Sequence, residues 1–127
     1  MNKNRPGSVN LATMVKLSWP ITSLSSILHR VTGVLLFLAI PFFLWAIELS
    51  LSSQSGFNQI QQVLQGDVAK FISWTILSML CYHMIAGARH LLMDAGIGES
   101  LEGGILGSKL VILAGILIAA GLGVWIW

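Results

Sequence analysis

Three long apolar runs alternate with short polar stretches along this chain. Their cores are Val31–Leu51, Phe71–Ala88 and Leu110–Trp127. A helix crosses the hydrocarbon core of a bilayer in about 20 mostly apolar residues, and each run is close to that length. The pattern predicts an all-α membrane protein with three transmembrane helices in a single domain, spanning 22–51, 68–95 and 106–127. Pro20 suits the first turn of the first helix, and Pro41 is expected to kink it. Asp67, after Gly66, is a fair N-cap for the second. Trp125 and Trp127 read as interfacial anchors of the third. The polar loop Ser52–Gly66 places Phe57, Ile60 and Leu64 on one helical face, so a short helix lying on the membrane surface is expected there. In the third span, Gly115, Ala119 and Gly123 recur at every fourth residue and would let another helix approach closely.

Composition agrees. Of 127 residues, 55% are hydrophobic and 9% charged, against about 25% charged in an ordinary soluble domain. The mean hydropathy of +0.82 excludes a soluble globular class. A net charge of +2 is too small to point to nucleic acid. The single cysteine, Cys81, excludes an intrachain disulfide, and its apolar setting predicts an inert thiol. The first twenty residues have no continuous apolar core of the kind a cleaved leader carries, so insertion is expected to use the spans themselves.

Charge sets the orientation. Lys3, Arg5, Lys16 and Arg30 precede or open the first span, and Arg89 and Lys109 lie between the second and third. The first loop region carries only Lys70, near its end. Positive residues stay inside, so the N-terminus and second loop are expected in the cytoplasm of a bacterium, with the spans in its inner membrane.

Two polar clusters interrupt the apolar pattern. Ser26, His29, Arg30 and Gly33 fall at i, i+3, i+4 and i+7, on one side of the first helix. Arg30 could simply snorkel to headgroups. His83, Gly87, His90 and Asp94 fall at i, i+4, i+7 and i+11 on the second. Asp94 lies roughly 16 Å along the axis from His83, which puts His83 near the middle of the membrane. An ionisable group at that depth is costly and needs a partner, a cavity or a cofactor. His83 is therefore either a helix-to-helix hydrogen-bonding residue or a metal ligand, and neutral imidazole is a good ligand for haem iron. Gly87 would leave clearance one turn away for a flat macrocycle. His83 and His90 are about 10 Å apart along one helix and cannot flank one iron. His29 is expected near the interface, too shallow to be the opposite ligand, which leaves a second subunit as the better source.

The motifs Ser26-x-x-His29-Arg30-x-Thr32 and His83-x-x-x-Gly87-x-Arg89-His90-x-x-x-Asp94, with Arg5-Pro6 near the start, resemble the cytochrome b556 subunits of succinate dehydrogenase. That family comprises small membrane anchors of succinate:quinone oxidoreductase, and the similarity extends over nearly the whole chain. Gly7-Ser8 after Arg-Pro, and Ala88 between Gly87 and Arg89, depart from its pattern. The resemblance implies a bundle formed with a second small anchor subunit, holding haem b between them. His83 would be one axial ligand and the partner anchor would supply the other. Ser26 and Arg30 would line a ubiquinone-reduction site. His29, Arg89 and His90 would meet the haem propionates or nearby water. Flavin and iron–sulfur clusters would reside in separate flavoprotein and iron–sulfur subunits, so the chain would not oxidise succinate alone. The competing expectations are a fumarate reductase-type anchor and a haem-free membrane anchor.

Overall fold

The computed structural model describes residues 20–127, so the readings placed on Lys3, Arg5-Pro6, Gly7-Ser8 and Lys16 lie outside the described residues. The described residues form four helices: α1 (Ile21–Ser52), α2 (Gln54–Gln65), α3 (Asp67–Asp94) and α4 (Leu101–Ile126). Helices α1, α3 and α4 are each long and apolar enough to cross a membrane. At about 1.5 Å per residue, all three exceed the ~30 Å hydrocarbon thickness.

The helix ends follow local chemistry. Helix α1 opens behind Pro20 and runs unbroken through Pro41, whose missing N–H leaves the Phe37 carbonyl without its usual helical donor. Ser53 caps α2, its hydroxyl accepting from the Gly56 N–H at 3.0 Å. Gly66 occupies the N-cap position of α3, so Asp67 stands one place inside, in the first turn, where its carboxylate complements the helix dipole. The C-terminus of α3 is closed by Gly96 at φ 84°: the Ile97 N–H bonds the Leu92 carbonyl and the Gly96 N–H bonds the Met93 carbonyl, both at 2.9 Å. That pair of bonds is the Schellman arrangement, which glycine adopts without steric cost.

The third span begins earlier than its apolar pattern predicts. Ser100 caps α4 through the Gly103 N–H at 3.1 Å, and the helix starts at Leu101, five residues before the expected start at 106. Gly103, Gly104 and Gly107 lower helix propensity there, which hides the first two turns from a reading based on hydropathy.

The packing is that of a membrane protein. Only Ala86 and Val111 are buried hydrophobics among the described residues, while Phe37, Phe42, Trp45 and Leu51 stand well exposed. The buried set instead includes Ser25, Thr32 and Ser108. A water-soluble domain inverts that distribution. Helix α3 is central, packing on α1 at one side and on α4 at another. The small-residue stripe of α4 meets α3 of the same chain. The Tyr82 ring lies on Gly115, where an added Cβ would come within 2.8 Å of it. Trp74 reaches past Gly123 and donates to the Ala119 carbonyl at 2.8 Å.

Candidate functional site

The α1–α3 contact gathers the histidines. The His29 ring stacks between the other two, with centroids 4.2 Å from His83 and 5.0 Å from His90, and planes within 20° of parallel. His29 is therefore level with the α3 histidines. The cause is register: its backbone carbonyl lies beside the His83 ring, and its own ring lies beside Gly87.

Two glycines make this contact possible. An added Cβ on Gly33 would sit 2.9 Å from His83 Cε1, so the His83 ring occupies the space that residue leaves. Gly87 faces His29 Nε2 at 3.4 Å by the same measure. The clearance attributed to a macrocycle at Gly87 is thus taken by the His29 imidazole, because α1 packs against this face of α3.

His83 is held from one edge. Its Nδ1 lies 3.0 Å from the His29 carbonyl and 3.1 Å from Thr32 Oγ1. A carbonyl only accepts, so Nδ1 carries the proton and Nε2 carries the lone pair. Nε2 has no hydrogen-bond partner among the described residues. His90 is arranged likewise: its Nδ1 donates to the Ala86 carbonyl at 2.7 Å, which leaves Nε2 uncommitted. Fixing Nδ1–H on a carbonyl and presenting Nε2 is how metal-binding histidines are oriented. His83 therefore fits a haem iron chemically. His29 does not fit opposite it: two near-parallel stacked rings project their nitrogens side by side, whereas axial ligands must point at each other across a macrocycle.

The polar cluster of α1 divides between two sides. Ser25, His29 and Thr32 face α3, and Ser25 receives the Tyr82 hydroxyl, 3.1 Å from its carbonyl and 3.3 Å from its Oγ. Ser26 is half-buried and Arg30 exposed, and neither makes a side-chain hydrogen bond among the described residues. Arg89 turns to α4: it donates to the Gly104 carbonyl at 2.9 Å and lies across Gly107. Asp94 is exposed at the end of α3. The motif readings missed Ser25 and Tyr82, and gave Thr32 no role. The one available signal was the i, i+4, i+7 spacing of Ser25, His29 and Thr32.

Fold and site together define a class, a three-span membrane bundle with an oriented histidine and a serine–arginine pair outside the histidine contact. The chain belongs to the succinate dehydrogenase/fumarate reductase transmembrane subunit family, whose model it matches over residues 1–123. It is 33% identical to the succinate dehydrogenase cytochrome b556 subunit of Coxiella burnetii, over the whole of both chains. The corresponding b556 subunit of Paracoccus denitrificans is 29% identical, with 91% of this chain and 87% of the relative covered. The cytochrome b560 subunit of Reclinomonas americana is 38% identical over 80% of this chain and 72% of its own. The chain is thus a membrane subunit of the succinate dehydrogenase cytochrome b kind, part of an oxidoreductase complex.

Proposed function

We propose that this chain is one of two small anchors of a succinate:quinone oxidoreductase, holding haem b through His83 Nε2 and forming part of the ubiquinone-reduction site through Ser26 and Arg30. The observation that carries the proposal is the His83 edge: Nδ1 is fixed by the His29 carbonyl and Thr32, and Nε2 has no partner among the described residues. A histidine of the partner anchor would supply the haem's other protein ligand. Flavoprotein and iron–sulfur subunits dock at the cytoplasmic side, where the N-terminus and the α3–α4 loop lie in a bacterial inner membrane.

When bound, haem b supplies a one-electron carrier beside the quinone path. The chain's own groups do the rest. The Ser26 hydroxyl donates to, or accepts from, a quinone carbonyl oxygen or its hydroxyl product. Arg30 stays protonated and stabilises negative charge as it develops on that oxygen. Its field is strongest where lipid and a neighbouring subunit exclude water. Ser26, half-buried, and Arg30, exposed, make no side-chain hydrogen bond among the described residues, which supports this role, since groups serving only this chain's packing would turn inward as Ser25 and Thr32 do. His29 and His90 face the same end of the bundle and suit haem propionates or the water beside them. Arg89 spends one of its five donors on Gly104 and keeps others for an anion there.

A dithionite-reduced minus oxidised spectrum of the detergent-purified complex tests the reading, for wild type and His83→Leu. A b-type α-band in wild type, lost or shifted in the variant, is expected. An identical low-spin band in both would remove His83 from the haem. No band in an assembled wild-type complex would make this a haem-free anchor.

A further inference from the structure

We infer that Thr32 is a positioning residue for His83, its buried hydroxyl sharing the Nδ1 proton with the His29 carbonyl and so setting how strongly Nε2 donates to the iron. The inference rests on His83 being an axial ligand, as proposed above.

The hydrogen bonds leave little freedom. Thr32 is 8% exposed. Its Oγ1 lies 2.8 Å from the Leu28 carbonyl, 2.9 Å from the His29 carbonyl and 3.1 Å from His83 Nδ1. The hydroxyl has one hydrogen, and both carbonyls can only accept, so that hydrogen goes to one of them. The oxygen's lone pairs then remain for the histidine. Nδ1 carries the proton, because it also faces the His29 carbonyl at 3.0 Å. The imidazole N–H thus has two acceptors, one on the α1 backbone and one on a side chain. Each draws the Nδ1 proton outward, makes the ring more imidazolate-like and strengthens Nε2 as a donor. Thr32 cannot rotate away without giving up its carbonyl bond in a site with little water, where an unpaired hydroxyl is costly. Gly33, the next residue, gives the ring its space, so adjacent positions of α1 set the ring's place and its polarity.

A stronger donor favours the ferric state, so the hydroxyl holds the haem midpoint potential down. The sharpest comparison is Thr32→Ser against Thr32→Ala. Both lack the γ-methyl, and they differ only in the hydroxyl. Thr32→Val, which keeps the shape of threonine, gives the same comparison against wild type. Each is made in the full complex, with His83→Leu in parallel. The readouts are haem content, redox-titrated midpoint potential and the low-field electron paramagnetic resonance signal of the oxidised haem. Serine is expected to keep the wild-type potential. Alanine and valine are expected to raise it and move the resonance signal, with haem still bound through the remaining His29 contact. Loss of haem from either hydroxyl-free variant in a complex whose subunits still co-purify supports the same role. Equal potentials and signals in the serine and alanine variants, or in valine and wild type, would overturn it while the His83→Leu spectrum still marks the ligand. A wild-type spectrum in His83→Leu would instead overturn the ligand reading, and this inference with it.

Discussion

Helix α3 shows two different faces to its two neighbours. Toward α4 it sends Trp74, Tyr82 and Arg89, which settle on Gly123, Gly115 and Gly107. Each finds a partner within the chain: Trp74 on the Ala119 carbonyl, Arg89 through one donor on that of Gly104, and Tyr82 across to Ser25 of α1. Toward α1 it sends His83 and His90, each tied by Nδ1 alone, with Nε2 left over. One face is closed within the chain. The other is half-finished, and its loose ends are nitrogen lone pairs. In a low-dielectric setting unsatisfied polar atoms are costly, so the loose ends mark where something outside the chain belongs.

Leucine placed on each face should separate the two roles. His83→Leu removes a lone pair and should abolish or shift the pigment, the largest change expected anywhere in the chain. Arg30→Leu comes next. It should slow quinone reduction on the order of a hundredfold, the scale of losing one donor to developing charge. Succinate oxidation through a soluble artificial acceptor should persist. Equal activity in both assays would exclude Arg30 from the quinone site. Gly115→Leu, on the closed face, should leave the pigment in place. Its cost is steric, because even a Cβ there meets the Tyr82 ring. About 1–3 kcal/mol of lost stability is the usual scale of overpacking, read as a lower melting temperature of the purified complex. A haem spectrum disturbed as much as in His83→Leu would mean that the two faces are not independent.

How much of this the sequence disclosed follows from the range of each signal. The spans were legible because hydropathy is a property of one helix at a time. The α2 helix was legible too, through Phe57, Ile60 and Leu64. The start of α4 was not, because its opening glycines carry neither hydropathy nor propensity. Gly107 and Gly104 face Arg89, a residue on another helix, while Gly103 is hemmed in by Gly98 and Ser100 just before it. His83 stood out as an ionisable group in an apolar run. Its partners did not, because the pairing of Thr32 and Gly33 with His83 depends on the rotation of α1 against α3. Periodicity within α1 put His29 with Ser26 and Arg30. The contact with α3 puts it with Ser25 and Thr32 instead, on the other side of the same arc. The α4 stripe was read correctly as a place of close approach, and its occupant is the chain's own α3.

One atom on the closed face breaks its own rule. Ser78 Oγ is buried with no hydrogen-bond partner among the described residues. It lies between Trp74 and Tyr82 at i+4 and i−4, on the side turned to α4. A membrane serine ordinarily returns its proton to the carbonyl four residues back, as Ser108 does with Gly104 at 2.9 Å. The Ser78 hydroxyl does not. Ser78→Ala removes a desolvated dipole and costs almost no packing volume. The variant should then be neutral or more stable by about 1 kcal/mol, the lower end of the cost of an unsatisfied hydroxyl. The pigment should be unchanged. A loss of stability of similar size would show that Ser78 is bonded in the membrane, to a trapped water or to the Trp74 carbonyl. The α4 face would then be polar glue throughout, and its contrast with the histidine face would rest on the glycine packing alone.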